Sequence, residues 1–175
     1  AARVPTRLER DIAIDVTSPG SNPSVQLLGN EDLDSEELIP YEIGWRWHAL
    51  AGLSVDVTAF HNEYEGLMSV EQGEFFIDPN DGRLIVPVIN RNLTDGKSDG
   101  FEALISYAPL PRWRVTGSYS FVDVSLDARG DDINRGEWYE GATPRHQVSI
   151  RSLLDLPAGL QFDAHLRHVT DIERS

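Results

Sequence analysis

The sequence predicts an all-β fold: an antiparallel, up-and-down sheet of about six wall strands, a segment of a transmembrane β-barrel, with short hairpins in its extracellular loops. Three observations point there. Long stretches alternate apolar and polar residues, the period of a strand with two unlike faces. Tight turns fall near residues 50, 110 and 157, whereas the other connections are long and polar. Aromatic residues sit at both ends of the apolar face, where a lipid boundary would place them.

Residues 1–35 read as irregular and polar. Two short runs, Asp11–Val16 and Ser24–Leu28, are separated by the turn-forming Pro19-Gly20-Ser21-Asn22-Pro23. An acid-rich stretch follows from Glu31 to Glu37. Closely spaced carboxylates can hold a hard cation such as calcium, but the spacing fits no EF-hand loop and the glycine of that loop is absent. A solvated charged segment is the expectation.

A strand begins at Leu38. Tyr41, Ile43, Trp45 and Trp47 alternate with Glu42, Gly44, Arg46 and His48, then Ala49-Leu50-Ala51-Gly52 turns the chain. Leu53, Val55, Val57 and Ala59 alternate with Ser54, Asp56, Thr58 and Phe60, and the strand persists towards Tyr64. Residues 66–97 are expected to be the longest connection. Within it Glu74–Ile77 and Leu84–Ile89 flank Asp78-Pro79-Asn80-Asp81-Gly82, whose Asp-Gly step favours a hairpin turn. Asn92-Leu93-Thr94 matches the glycosylation triplet, a pattern too common by chance to carry weight.

The second hairpin, Gly100–Asp123, is the clearest. Phe101, Ala103, Ile105 and Tyr107 share a face with Trp113, Val115, Gly117, Tyr119 and Phe121, while Glu102, Leu104, Ser106, Arg114, Thr116, Ser118 and Ser120 fall on the other. Each arm runs about ten residues, near the length that a tilted strand needs to cross a bilayer. Ala108-Pro109-Leu110-Pro111 is the expected connection. Ser125–Thr143 reads as another long polar loop. His146, Val148 and Ile150 then alternate with Gln147, Ser149 and Arg151, Leu156-Pro157-Ala158-Gly159 turns, and Phe162, Ala164 and Leu166 alternate with Gln161, Asp163, His165 and Arg167.

Composition narrows the function. The 175 residues carry a net charge of −14, wrong for phosphate-rich nucleic acid and for docking on an anionic membrane surface. There is no cysteine, hence no disulfide, thiolate catalysis or thiolate-bound metal. No apolar run reaches the ~18 residues of a membrane helix. Hydrophobic content of 40 % suits a soluble globule and a barrel wall alike, since half of each wall strand faces water. A soluble secreted β-sandwich or barrel acting as a binding module therefore remains the alternative; aromatic placement favours lipid outside.

Catalytic patterns are absent: no G-x-S-x-G, no H-E-x-x-H and no Gly-rich phosphate loop. The histidines are His48, His61, His146, His165 and His168. His165 and His168, like His146 and Ser149, are three apart on a strand and so face opposite ways. No enzyme activity, cofactor or metal site is expected.

Particular stretches add a resemblance. Arg7-Leu8-Glu9-Arg10-Asp11, Asn30-Glu31-Asp32-Leu33, Glu37-Leu38, Tyr41-Glu42-Ile43-Gly44-Trp45-Arg46 and the run Leu53–Tyr64 resemble the late barrel of TonB-dependent outer-membrane receptors. So do Asp99-Gly100-Phe101-Glu102, Leu110-Pro111-Arg112-Trp113-Arg114, Thr143-Pro144-Arg145-His146-Gln147 and Leu154-Asp155-Leu156-Pro157, in matching order over most of the chain. The polar ends read as cuts through a longer chain, and residues 1–175 are expected to be a partial barrel domain without signal peptide, TonB box, plug or the closing aromatic residue. A complete receptor of this kind has 22 strands around a plugged lumen.

The resemblance implies a place in the cell outer membrane and a part in capturing and importing a scarce ligand, such as a ferric siderophore, with energy from the TonB complex acting through the missing plug. Its implied partners are outer-membrane lipid, the TonB machinery and the small-molecule ligand. Loop and upper-strand residues become candidate ligand contacts: Tyr64, Arg91, Asn92, Trp138, Tyr139 and Arg145. Acidic loops disfavour an anionic ligand unless Arg91 and Arg145 converge.

Overall fold

The structure, a computed structural model, describes residues 1–129 and 141–172, with the backbone alone for His48. Its strands are β1 (Ala2–Arg3), β2 (Ala13–Asp15), β3 (Ser24–Leu28), β4 (Glu36–Leu50), β5 (Leu53–Gln72), β6 (Phe76–Ile77), β7 (Leu84–Leu110), β8 (Trp113–Ala128), β9 (His146–Asp155) and β10 (Gln161–Val169). One short helix, α1 (Arg7–Asp11), precedes β2. The strand order is β1-β4-β5-β7-β8-β9-β10, with β3 and β6 also on β7 and β2 on β3. Six long strands carry the wall, as the alternation predicts.

The tight turns fall where expected. Gly52, at φ +82°, closes the β4–β5 turn, and its carbonyl accepts from the Ala108 N–H at 2.7 Å. A side chain at Gly52 would meet the Ala108 carbonyl oxygen at 2.7 Å, so both the left-handed backbone and the close approach require glycine. β7 continues through Pro109 to Leu110, which moves the next turn one step on, to Pro111-Arg112. Pro157–Gly159 form a single 3-10 turn before β10.

Three expectations need correction. Residues 66–97 are mostly strand: β5 persists to Gln72 and β7 starts at Leu84, so the connection shrinks to 73–83. Its Asp78–Gly82 turn does form, with the Asp78 N–H donating to the Arg83 carbonyl at 2.9 Å and β6 pairing antiparallel with the start of β7. Residues 1–35 are more ordered than their polarity implies. α1 is held by a capping box in which the Thr6 side chain accepts from the Glu9 N–H and the Glu9 carboxylate accepts from the Thr6 N–H. β3 pairs with β7 in parallel, Ser24↔Ile85 through Leu28↔Ile89, an exception in an otherwise antiparallel sheet. Of the expected loop at Ser125–Thr143, β8 claims residues to Ala128, and 130–140 lie outside the described residues.

The chain divides into two compact units. Unit 1 comprises Ala1–Ile39, Glu63–Lys97 and Ser125–Tyr139; unit 2 comprises Pro40–Asn62, Ser98–Val124 and Glu140–Ser175. Unit 1 holds the buried large hydrophobic residues found among the described residues, Leu33 and Ile85, together with buried Ser24, Ser69, Glu71, Asn90 and Thr94. Unit 2 has none. Its alternate apolar residues stay open: Ile43 is 75 % exposed, Trp45 54 %, Phe162 57 % and Leu166 70 %. A soluble domain of this size would bury such side chains against a second layer, so the soluble alternative falls.

The other face of unit 2 is wet and orderly. Arg46 on β4 pairs with Asp56 on β5 at 2.5 Å, and Arg151 on β9 pairs with Asp163 on β10 at 2.5 Å. Between β8 and β9 the Ser118 and Ser149 hydroxyls bond at 2.7 Å. The register pairs Thr116 with Arg151 and Ser120 with Gln147 on this face, and Gly117 with Ile150 and Tyr119 with Val148 on the apolar one. Both faces match the period-two reading. At the end of the apolar face away from the turns, Phe101, Tyr119, Phe121 and His146 cluster, and the Tyr119 hydroxyl bonds His146 Nδ1 at 2.8 Å. That bond gives both polar atoms a partner on a greasy surface.

Candidate ligand site

Unit 1 carries an open cavity of about 830 Å³ lined by Asp34, Ser35, Glu37, Tyr64, Glu65, Gly66, Asp95 and Arg129. Four separate stretches build it. Asp34–Glu37 is the run into β4, Tyr64–Gly66 lies on β5, Asp95 on β7, and Arg129 just beyond β8. Gly66 adopts φ +62° inside β5, and its N–H donates to Asp95 Oδ1 at 3.0 Å. The Arg129 guanidinium closes on the same carboxylate, Nε to Oδ2 at 2.9 Å. Asp95 thus neutralises the cavity's arginine, while Asp34, Glu37 and Glu65 add three more carboxylates to the lining. The site is negative.

Side chain-to-backbone bonds assemble these walls. Asn92 Nδ2 donates to the Gly66 carbonyl at 2.6 Å and to the Asp34 carbonyl at 3.2 Å, and its Oδ1 accepts from the Asp34 N–H at 2.9 Å. Glu36 accepts from the Met68 N–H at 3.0 Å and pairs with Arg3 at 3.2 Å. Arg3 also bonds Glu9, whose carboxyl lies below its usual range, chiefly through the Thr6 N–H and then through Arg3. Farther along, Asp15 is held at about 2, first by the Ser24 hydroxyl and then by Thr17. Among the described residues no group of three or more His, Asp or Glu could hold a metal ion, the 31–37 stretch included.

The predicted contacts distribute unevenly. Tyr64 lines the cavity. Asn92 stands behind it, its amide committed to the protein. Arg91, the next residue on β7, occupies the opposite set of alternate positions and is exposed. Arg145 belongs to unit 2, where it is exposed and pairs with Asp123 at 3.4 Å. Trp138 and Tyr139 lie outside the described residues. Sequence reasoning missed Glu65, Asp95 and Arg129. Asp95 and Arg129 are 34 positions apart, and no local pattern links them. The acid-rich 31–37 stretch did signal one wall, though not its role.

A second cavity, of about 490 Å³, lies on the wet face of unit 2, lined by Arg46, Asp56, Glu102, Ser118 and Ser120 among others. Its paired charges make it a hydrated wall, with Glu102 exposed among them.

Comparison with known proteins bears on these features. The family model described as "TonB dependent receptor-like, beta-barrel" matches residues 4–171. A probable TonB-dependent siderophore receptor, PiuA of Acinetobacter baumannii, is 24 % identical over 119 residues, which is 67 % of this chain and 14 % of that protein. The siderophore receptor PirA from Pseudomonas aeruginosa superposes with a TM-score of 0.60 at 17 % identity, over 96 % of this chain and 29 % of that one. The pyoverdine receptor FpvA of the same organism, bound to pyoverdine, gives a TM-score of 0.54 at 20 % identity, over 79 % of this chain and 19 % of that one. These structural likenesses show a shared fold, and the matched stretch is a small part of each relative.

Proposed function

The chain belongs to the TonB-dependent receptor β-barrel family, and from that premise we propose that it forms part of an outer-membrane transporter that captures a ferric siderophore or similar iron complex outside the cell and imports it with TonB-supplied energy. The observation that carries the membrane half of this reading is the open apolar face of unit 2 beside a charge-paired wet face. Lipid covers the first and an aqueous lumen meets the second. The tight turns take the periplasmic side, as short turns do in such barrels.

Strand length supports the ligand half. β7 has 27 residues, some 90 Å at strand rise, against the 9–11 residues that cross a bilayer. Most of it therefore stands clear of hydrocarbon. The cavity residues Tyr64 and Asp95 lie in the halves of β5 and β7 that are farther along each strand from its tight turn, on the side where the family's ligands enter. The site's charge selects among ligands: the arginine that lines it, Arg129, is already ion-paired with Asp95, so a neutral or cationic complex suits it better than a polyanion.

The test uses the complete receptor in a Gram-negative host stripped of its own siderophore receptors. Uptake of 55Fe is followed from a panel of ferric hydroxamates and catecholates of differing net charge. Uptake of a neutral or cationic member, lost when TonB is deleted, is the expected result. No receptor-dependent uptake from any member would overturn the reading.

A further inference from the structure

We propose that Asn92 is a positioning residue, the latch of a strap formed by residues 30–35 that completes one wall of the unit 1 cavity; the inference rests on that cavity being the ligand site. The Asn92 amide uses both N–H groups and its oxygen on Gly66 and Asp34. Those two residues line the cavity from different stretches, so one side chain on β7 sets the separation of two walls.

Asn90, two positions earlier on the same face of β7, fastens the other end of the strap. Its Nδ2 donates to the Glu9 carbonyl at 3.3 Å, and its own carbonyl accepts from Asn30 Nδ2 at 3.0 Å. Glu9 is itself tied in, because its carbonyl accepts from the Asn30 N–H at 3.3 Å. Arg10 bonds the Glu31 carbonyl. Leu33, 6 % exposed, is the strap's one buried hydrophobic residue. On either side the chain is pinned by ladders, β3 to β7 and β1 to β4.

A short segment held by a few polar bonds and one leucine, between two well-anchored strands, opens more readily than its surroundings. Releasing it moves Asp34 and Ser35 off the cavity. Because the strap acts on the wall and not on the ligand itself, loosening it lowers affinity without slowing the step that follows capture.

The experiment labels Ser35→Cys in the complete receptor on intact cells with a membrane-impermeant maleimide. Labelling at least tenfold faster when Asn92→Ala is added is the expected result. Arg91→Cys on the opposite face labels equally in both backgrounds, and Thr94→Ala, which removes a buried hydroxyl from the latch's own face, leaves Ser35→Cys labelling unchanged. Equal labelling of Ser35→Cys with and without Asn92 overturns the latch. With the ferric siderophore that enters fastest from the panel above, Asn92→Ala raises the half-saturating concentration at least fivefold and leaves the maximal rate unchanged. Faster labelling with unaltered half-saturation overturns the coupling of strap to site. Should no panel member enter, the cavity's ligand role fails, while the labelling still decides the latch.

Discussion

Asp15 fastens three stretches of chain with one carboxylate. It accepts from the Ser24 hydroxyl at 2.6 Å, from the Thr17 hydroxyl at 2.6 Å and N–H at 3.0 Å, and from Arg83 at 3.3 Å. These donors, Ser24 first, hold its pKa at about 2 against an ordinary 3.8. The sign follows from linkage. A carboxyl depressed by folding stabilises the folded state fully above its unfolded value and progressively less as pH falls through its folded one. The β2–β3 hairpin should therefore keep its amide-exchange protection, corrected for intrinsic rate, from pH 7 to about 4 and lose part of it towards pH 2. Asp15→Asn should begin less protected at pH 7 and show a much smaller step. Unchanged protection of the β3 amides at pH 2 would contradict this role. Arg145 and Asn92 teach a related lesson: a polar residue picked out by sequence as a ligand contact can be engaged within the protein, here by Asp123 and by Gly66 with Asp34.

At the scale of the strand, the two faces have opposite tolerances. Ile150 is half exposed on the apolar face, paired with Gly117 on β8 and Leu166 on β10. Gly117 sits midway between Trp113 and Phe121, which places Ile150 at the centre of the greasy band. Ile150→Arg should cost roughly 2–4 kcal/mol of assembly, the penalty for a lipid-facing arginine at mid-bilayer. Ser120→Arg lies on the wet face, opposite Gln147 and in the cavity that contains Glu102, and should stay within about 0.5 kcal/mol as surface changes do. The yield of heat-modifiable folded receptor in the outer membrane reads both; equal yields would mean that the faces are misassigned. The strands of unit 2 were legible because a face against lipid enforces strict alternation, and neighbours in sequence carry that signal. Unit 1 was not. Where β5 and β7 leave the hydrocarbon, both faces meet water or polar protein, and Asn90-Arg91-Asn92-Leu93-Thr94-Asp95 reads as loop although it is strand. The parallel docking of β3 had no local signature. The Thr6–Glu9 capping box has one, the Thr-x-x-Glu spacing that opens α1. Of the residues that line the cavity, Tyr64 was among those named from the sequence, whereas Asp95 with Arg129 was not, since their pairing depends on which strands fold together.

At the scale of the chain, burial decides what solvent this protein needs. Among the described residues Leu33 and Ile85 are the buried large hydrophobic ones, while Tyr41, Ile43, Trp45, Trp47, Phe162 and Leu166 are half exposed or more. Hydrophobic burial is the main term opposing chain entropy, and in water this chain gains little of it. In a bilayer the same side chains are solvated by lipid and only the backbone ladders need completing. The strand path ends at β1 and β10, which leaves edges that seek further strands. Residues 1–175 expressed alone should therefore aggregate in plain buffer and disperse only in detergent. There the emission of Trp45, Trp47 and Trp113, all exposed on the apolar face, should shift to the blue as micelles cover them. Size-exclusion chromatography and fluorescence, with and without detergent, read both effects. A compact monomer in plain buffer that melts cooperatively, with tryptophan emission indifferent to detergent, would mean that lipid does not cover this face.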